Sequence, residues 1–256
     1  MKALKSNDSY VNYSSFIIVI IISSTIRLIM LELKNVNKSY LEGNIKHSVL
    51  SNLDLYVSNG EIIILFGKSG SGKSTLLNII SGIDVPDSGS VAIDGTDITK
   101  LSEKERTIVR RNKVGFIFQF FNLIPTLTVK ENLLLPLELT GSNNTEERIN
   151  SILSEVGLAN RANTYPDRLS GGEQQRIAIA RALIHNPDII LADEPTGNLD
   201  YETGLQIVDL IDRVVKKKGK TMIMVTHSKD VIGLAVRIYS LKEGRLKEVK
   251  KESVFE

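Results

Sequence analysis

The order of apolar and polar positions along the chain predicts strands that alternate with helices. Two strands alternate in polarity and should bury one face, while others are unbroken apolar runs, as in a buried parallel sheet. The predicted strands are 31–36, 49–57, 62–66, 189–192 and 221–225, and 236–249 is predicted as a hairpin around Glu243-Gly244. The predicted helices are 73–80, 101–113, 146–156, 170–186 and 203–218. This alternation favours an α/β fold with a mostly parallel sheet.

The stretch between about 95 and 185 is richer in predicted helix than the rest of the chain, which favours a second lobe there. Ser102 and Glu105 have the spacing of a capping box at a helix start. Pro187 should end the helix that precedes it. A chain of 256 residues is long enough for one large domain or two small lobes.

Charge and cysteine content exclude several kinds of site. The net charge of +2 comes from the first thirty residues, where Lys2, Lys5 and Arg27 oppose only Asp8. The rest of the chain is neutral, so its charge gives no argument for nucleic-acid binding. The chain has no cysteine, which excludes disulfides and cysteine metal sites and favours a reducing compartment.

The first 29 residues differ in character from the rest. Their apolar run, 16–22, is much shorter than the roughly 20 residues that span a bilayer. The segment can be interpreted as a weak membrane anchor, as an extra strand or helix packed on the domain, or as a translated leader. We favour the leader, because Met30 opens a clean alternating strand and is a natural start. The folded domain is then expected over 30–250, followed by a tail at 251–256.

One segment matches the phosphate-binding pattern G-x-x-x-x-G-K-[ST]: it reads Gly67-Lys68-Ser69-Gly70-Ser71-Gly72-Lys73-Ser74-Thr75. It lies between a predicted strand and a predicted helix. In that setting successive N–H groups and the helix dipole face one anion. Lys73 is expected to reach the β- and γ-phosphates of ATP, and Ser74 to hold Mg²⁺ through its hydroxyl. The sequence therefore predicts a site for ATP and Mg²⁺.

Two carboxylates follow the apolar strand 189–192. Ligand sites in parallel sheets lie at the carboxyl ends of the strands, so Asp193 and Glu194 should lie beside the phosphate-binding loop. Asp193 is expected to complete the Mg²⁺ shell. Glu194 is expected to act as general base toward an attacking water.

A third segment, 169–176, starts a helix with an accessible N-terminus. Ser170 is expected to cap this helix, and Gly171 and Gly172 leave its first amides open to an anion. A capped helix start is common by itself, so the combination with the other two segments carries the information. Together the three segments resemble the ATP-binding cassette (ABC) ATPases over about 31–250. In that comparison 169–176 is the family signature, with Glu173 in place of a consensus glutamine.

The resemblance implies a P-loop ATPase core with a mostly parallel sheet, an antiparallel β subdomain and a helical lobe that carries the signature. It also implies a homodimer, in which the signature of one subunit closes over ATP bound to the P-loop of the other. ATP binding would close this dimer, and hydrolysis would reopen it.

Further residues gain roles from the same resemblance. Gln119 corresponds to the glutamine loop, which senses Mg²⁺ and the γ-phosphate and joins the core to the helical lobe. His227 corresponds to the switch histidine, which contacts the γ-phosphate and positions Glu194; a neutral imidazole can donate and accept hydrogen bonds. Asp200 corresponds to the loop that crosses the dimer interface, and Tyr40 to the aromatic residue that stacks on adenine.

The other two histidines, His47 and His185, match no motif and are predicted to lie at the surface. The segment 120–129 is unusually apolar for a loop. Such a surface suggests a docking site for another protein, although packing inside the helical lobe would bury part of it.

Residues 117–132 and 191–200 are similar to one subgroup of the family, which contains lipoprotein-releasing, macrolide-export and bacitracin-resistance ATPases and the ATPase of the cell-division pair. In that subgroup a cytoplasmic helix of a separate membrane permease fits a cleft near the glutamine loop. The resemblance thus implies a transport-coupled ATPase subunit held at the cytoplasmic face of the membrane by its permease, with no nucleic-acid partner.

Three alternatives stay open at this point. The chain could serve a mechanotransmission complex such as the cell-division pair, or act as a soluble clamp. It could also be a regulatory module that binds ATP without turnover, which the intact Glu194 and His227 disfavour.

Overall fold

The computed structural model describes residues 29–252 of the chain. Its strands are β1 (Ile29–Glu42), β2 (Ile45–Ser58), β3 (Ile62–Phe66), β4 (Ser88–Ile93), β5 (Thr96–Asp97), β6 (Val114–Ile117), β7 (Ile189–Asp193), β8 (Thr221–Thr226), β9 (Arg237–Lys242) and β10 (Arg245–Val249). Its α-helices are α1 (Lys73–Ile80), α2 (Glu103–Lys113), α3 (Val129–Leu139), α4 (Thr145–Glu155), α5 (Gly171–Leu183) and α6 (Tyr201–Lys217). The expectations for 1–28 and for 253–256 lie outside the described residues.

The strands form two sheets. A six-stranded sheet has the order β10-β9-β3-β8-β7-β6, in which neighbours from β9 to β6 are parallel and β10 is antiparallel. A four-stranded antiparallel sheet has the order β2-β1-β4-β5. The predicted α/β fold with a mostly parallel sheet and an antiparallel β subdomain is confirmed. The parallel strands β3, β7 and β8 end at the same edge, which brings their following loops together.

The six-stranded sheet is buried on both faces, as its apolar strands predicted. Side chains alternate along each strand, so Ile63 and Leu65 pack with α1 and the four-stranded sheet. Ile62 and Ile64 point the other way and pack with apolar residues of α3 to α6. The core therefore has two parts, one on each face of the sheet. Burial on both sides explains why these strands read as unbroken apolar runs rather than alternating ones.

Helix starts follow local capping signals. The predicted capping box of Ser102 and Glu105 is present at the start of α2, and a second box at Thr128 opens α3. The helix α5 ends at Leu183, earlier than the predicted end at 186, and Asn186 takes a left-handed backbone with φ 62°. The hairpin predicted around Glu243-Gly244 is confirmed as β9 and β10.

Several elements are absent from the sequence prediction. The strands β4, β5 and β6 are short, and β6 contains Gly115, which weakens any strand signal. The helix α3 contains Pro136, a residue that ordinarily argues against helix. It forms because its apolar face is buried against the rest of the core, through Leu133 and Leu137.

The apolar segment 120–129 is divided between surface and core. Phe120 is 71% exposed and Ile124 is 39% exposed, whereas Val129 is fully buried at the start of α3. Part of the segment thus packs inside the helical region and part forms apolar surface; the docking site stays a prediction for the exposed part. Across residues 29–252, none of the helices combines the length and the apolar character that a membrane span needs.

Candidate active site

The phosphate-binding loop connects β3 to α1, as the motif predicted. Gly70 and Gly72 have φ values of 76° and 96°, a region that glycine adopts without strain. A Cβ on Gly72 would lie 2.8 Å from Cγ1 of Val49, so the close approach of β2 also requires glycine there. Gly72 is the N-cap of α1 and supplies no side chain to its first amides. These N–H groups are therefore available to an anion.

Two polar side chains in this loop suit a phosphate chain. The ammonium of Lys73 is buried and donates to the carbonyl oxygens of Gly67 and Lys68, at 2.8 and 3.0 Å. The Ser71 hydroxyl is buried and has no hydrogen-bond partner among the described residues. Lys73 also lines the open space in front of the loop together with Gly70 and Gly72, so an anion bound there would meet its positive charge. The loop thus fits the phosphates of a nucleotide.

The two carboxylates follow β7, at the same edge of the sheet. Burial raises the pKa of Asp193, an effect that its hydrogen bond to Ser74 opposes and the neighbouring charge of Glu194 reinforces. Glu194 has a left-handed backbone with φ 46°, and its N–H donates to the Val225 carbonyl at 2.9 Å. A non-glycine residue in this conformation stores strain, which the surrounding hydrogen bonds hold in place.

His227 contacts Glu194 in two ways. Its Nδ1 lies 2.9 Å from the Glu194 Oε1, and its backbone N–H donates to Oε2 at 3.2 Å. An ionised carboxylate there favours the tautomer with the proton on Nδ1, which leaves Nε2 as an acceptor. The His227 side chain is 68% exposed, so this acceptor is accessible. The two residues are 33 positions apart and meet because β7 and β8 are adjacent.

Gln119 follows β6 and is tied to the loop after β7. The Gln119 Nε2 lies 3.4 Å from the Asn198 Oδ1, and the Gln119 backbone carbonyl accepts a hydrogen bond from the Asn198 side-chain amide at 2.9 Å. Gly197 allows this approach, because a Cβ there would lie 3.0 Å from the Gln119 Nε2. Asn198 thereby fixes the backbone of the glutamine next to the carboxylates.

These groups surround one cavity of about 700 Å³. It is lined by Tyr40, Val49, Lys68, Ser69, Gly70, Gly72, Lys73, Ser74, Thr75, Gln119, Asp193, Glu194 and His227. Tyr40 is 42% exposed at the edge of the cavity, and its hydroxyl donates to Asp84 at 2.6 Å. The structure thus brings together the phosphate loop, both carboxylates, the glutamine, the histidine and the tyrosine.

The remaining predicted residues line a different cavity of about 560 Å³. Ser170 caps α5 and accepts from the Glu173 amide, while Gly171 and Gly172 border the cavity. Asp200 lies beside them and caps α6 through the Thr203 amide, at 3.0 Å. A single chain therefore presents a phosphate loop and a second helix N-terminus at separate places.

Comparison with known proteins agrees with this geometry. A family model described as ABC transporter matches residues 50–197. An uncharacterised ABC transporter ATP-binding protein of Mycobacterium tuberculosis is 49% identical over 219 residues, which cover 85% of this chain and 88% of the relative. The lipoprotein-releasing system ATP-binding protein LolD of Geobacter metallireducens is 42% identical over 219 residues, covering 85% and 97% of the two chains.

A solved structure is also similar. The dimeric ATP-binding cassette MJ0796, in a post-hydrolysis state bound to ADP and phosphate, matches with a TM-score of 0.80 and 44% identity. The match covers 87% of this chain and 99% of that one. The protein of that name comes from Methanocaldococcus jannaschii. The chain belongs to the ABC transporter family as an ATP-binding ATPase domain.

One signature residue of this ABC ATPase carries a negative charge. The carboxylate of Glu173 accepts from the Ser170 amide at 2.9 Å and pairs with Arg161 at 3.1 Å. The Ser170 amide and Arg161 together hold the pKa of Glu173 below its usual value. The carboxylate is thus ionised beside the N-terminus of α5, and Arg161 balances its charge.

Some groups around the active site of this ABC ATPase have no signal in the sequence. Only the tertiary structure brings Asn198 to Gln119. The same is true of Val49, which lies against Gly72. One prediction was wrong. His185 is half-buried rather than exposed: its Nε2 lies 3.2 Å from the Val114 carbonyl, and its Nδ1 is buried without a partner in the described part of the chain. Burial lowers its pKa.

Proposed function

We propose that this ABC ATPase hydrolyses Mg²⁺-ATP as a homodimer and drives a separate membrane permease from the cytoplasmic face of the membrane. One observation carries the proposal. The P-loop and the catalytic side chains line one cavity, while Ser170, Gly171 and Gly172 line another. A second copy of the chain can supply the signature that the first cavity lacks, with Asp200 near the junction.

The P-loop residues would hold the triphosphate. Backbone amides of this loop and of the first turn of α1 are proposed to face the anion, and the Lys73 ammonium to neutralise the β- and γ-phosphates. Ser74, Asp193 and Gln119 offer a hydroxyl, a carboxylate and an amide oxygen, the hard oxygen donors that Mg²⁺ prefers. When bound, the ion would neutralise the phosphate charge that develops during transfer.

Glu194 is proposed as general base for the attacking water. Its Oε1 accepts from the His227 ring and its Oε2 from the His227 backbone, so both oxygens have fixed directions. The accessible Nε2 of His227 is proposed to contact the γ-phosphate by donating a hydrogen bond, which requires that the ring carry a proton on Nε2 as well as on Nδ1. Tyr40 is proposed to stack on adenine, because its ring is half exposed at the cavity edge while its hydroxyl is anchored to Asp84.

The permease is proposed to bind near the glutamine loop. Phe120 and Ile124 expose apolar surface directly after Gln119, where a helix of a partner protein can pack. The relative LolD is named as part of a lipoprotein-releasing system, and other relatives named MacB combine an ATP-binding and a permease part in one protein. We assign the ATPase domain to 30–250, with a helical lobe at about 95–185.

Mixing two inactive variants tests the composite site. Lys73→Ala removes the phosphate contact, and Ser170→Arg blocks the signature, so each homodimer should lack turnover. A mixed dimer has one site with both defects and one intact site. Half of the randomly mixed dimers then hold one intact site, so mixing should restore a measurable ATPase rate of at most about a quarter of wild type. If mixing restores no activity although both variants fold and their chains exchange, the composite-site proposal fails.

Glu194→Gln tests the proposed base. This variant should bind ATP and form a stable dimer, with turnover reduced by roughly 10²–10⁴-fold. Unchanged turnover would remove Glu194 from that role.

Phe120→Asp tests the proposed docking surface. This variant should keep ATPase activity but no longer co-purify with a membrane protein from detergent-solubilised membranes. Equal recovery with wild type and variant would contradict the proposed docking surface.

A further inference from the structure

A fully buried amide side chain joins the signature helix to the loop of the catalytic carboxylate. Gln175 lies on α5 and is 0% exposed. Its Nε2 donates to the Pro195 carbonyl at 2.6 Å, across 20 positions of sequence. Its Oε1 is buried and has no partner among the described residues. An apolar side chain of the same length would fill this space without an unpaired acceptor, so the hydrogen bond to Pro195 distinguishes glutamine here.

The bonded carbonyl belongs to the residue that follows Glu194. Pro195 has no N–H, so its carbonyl is its only backbone group able to form a hydrogen bond. The Glu194 N–H is held by the Val225 carbonyl at 2.9 Å, and the Glu194 carbonyl accepts from Gly197 at 3.0 Å. Gln175 thus provides the contact that fixes this strained turn from the side of the helices.

The same helix begins at the signature. Ser170 caps α5, and Gln175 lies five positions later, which at 1.5 Å per residue is about 7.5 Å along the helix axis. One short rigid element therefore borders the signature cavity at its start and contacts the Glu194 loop farther along. Any shift of the signature end of α5 reaches the Pro195 carbonyl through one hydrogen bond.

We propose that Gln175 is a positioning residue that couples the two composite sites of the dimer. When the signature of one chain closes on the nucleotide of its partner, α5 moves, and Gln175 carries that movement to Glu194 of its own chain. Each site then adjusts the catalytic base of the other. This inference rests on the proposed composite-site dimer.

Gln175→Met tests the coupling, since methionine keeps the length and removes the donor. ATP affinity and ATP-dependent dimerisation, measured in the Glu194→Gln background, should be unchanged, because the P-loop is not altered. In the otherwise wild-type chain kcat should fall by about tenfold, the order expected for losing one hydrogen bond. The Hill coefficient for ATP should fall from above 1 to 1. An unchanged kcat and Hill coefficient, or a wild-type Hill coefficient of 1, would overturn the proposal.

Gln175→Glu provides a second variant with a different readout. Its carboxyl can donate to the Pro195 carbonyl only while protonated, and burial raises the pKa of such a group. Relative to wild type, kcat should therefore fall as the pH rises from about 6 to about 8. A ratio of variant kcat to wild-type kcat that does not change with pH contradicts the role of this hydrogen bond.

Asn132→Leu serves as the matched control. Asn132 is also a fully buried amide in the helical region, and its side chain bonds the backbone of 124–128 rather than the Glu194 loop. It should lower the melting temperature and leave kcat and the Hill coefficient per folded dimer unchanged. Equal kinetic defects in both variants would assign Gln175 a structural role only. Failure to restore activity by mixing, in contrast, would reject the composite site itself.

Discussion

Arg181 holds the turn that follows the glutamine loop, and Arg181→Met should loosen it. The guanidinium donates to the carbonyls of Phe121 and Asn122, at 2.9 and 2.5 Å. These two residues both have left-handed backbones, with φ values of 49° and 51°. Burial lowers the pKa of Arg181, yet an arginine stays protonated at neutral pH. A charged donor therefore stabilises two successive strained residues.

The size of the effect follows from these contacts. A hydrogen bond from a charged group contributes about 1.5–3 kcal/mol. Asn122 is exposed and Phe121 is half-buried, so water replaces part of what is lost. We therefore expect a total loss of about 1.5–3 kcal/mol in local stability rather than twice that amount. The strain of the left-handed residues favours relaxation once the guanidinium is gone.

Hydrogen exchange followed by mass spectrometry measures this loss. Because 1.4 kcal/mol corresponds to tenfold, protected amides in peptides covering 117–124 should exchange about 10- to 100-fold faster. The methionine keeps most of the apolar stem of Arg181 in place. Peptides from the β1–β2 hairpin, which lies elsewhere in the fold, should not change.

Arg213→Met is the charge-matched control, because Arg213 lies exposed on α6, where its guanidinium is 3.8 Å from the Asp209 carboxylate. It should leave exchange over 117–124 unchanged. If Arg181→Met also leaves exchange there unchanged, the guanidinium does not hold the turn, and the two hydrogen bonds contribute nothing measurable. If the whole chain exchanges faster, the effect is global and the local explanation is refuted.

Three other substitutions have expected outcomes. Gly115→Ala should lower the free energy of unfolding by about 3 kcal/mol in a denaturant titration, because the added Cβ would overlap the Ala182 carbonyl. Arg161→Met should raise the KM for ATP by about fivefold, because it leaves the negative charge of Glu173 unbalanced. In a Glu173→Gln background the same substitution should leave the KM unchanged, and additive effects of the two substitutions on the KM would contradict this explanation. Burial, reinforced by the adjacent acidic charge, raises the pKa of Asp193, so the folded chain loses stability as the pH rises above the usual aspartate range. Asp193→Asn should therefore raise the melting temperature of the nucleotide-free protein at about pH 7, with no gain near about pH 3, and an equal gain at both pH values would refute this cause.

Most residues of the candidate site could be predicted from sequence because they belong to short contiguous motifs. Residues 67–75 form one loop with the backbone amides proposed to bind phosphate, and Ser170 caps the helix that it precedes, so neighbours in sequence form both features. The position of Asp193 and Glu194 also followed from sequence, because the carboxyl ends of parallel strands meet at one edge. The apolar run of β3 and the helical periodicity of the long helix α6 were strong enough to predict both elements within two residues.

Elements with weak local signals needed the fold. The helix α3 contains Pro136, and only burial of its apolar face against the core outweighs that residue. His185 looked like a surface residue because nothing near it in sequence suggests burial, yet β6 packs against it. The strand β6 itself is too short to be distinguished from a loop by its pattern.

The sequence by itself determined the chemistry of this ABC ATPase, and the tertiary structure decided how its parts are connected. Local geometry suffices for a phosphate loop or a helix cap, because their groups belong to adjacent residues. The pairs Gln119–Asn198 and Gln175–Pro195 are 79 and 20 positions apart and meet only when strands and helices pack. The separation of the signature from the P-loop within one chain is likewise a result of packing, since no local pattern encodes the distance between two cavities.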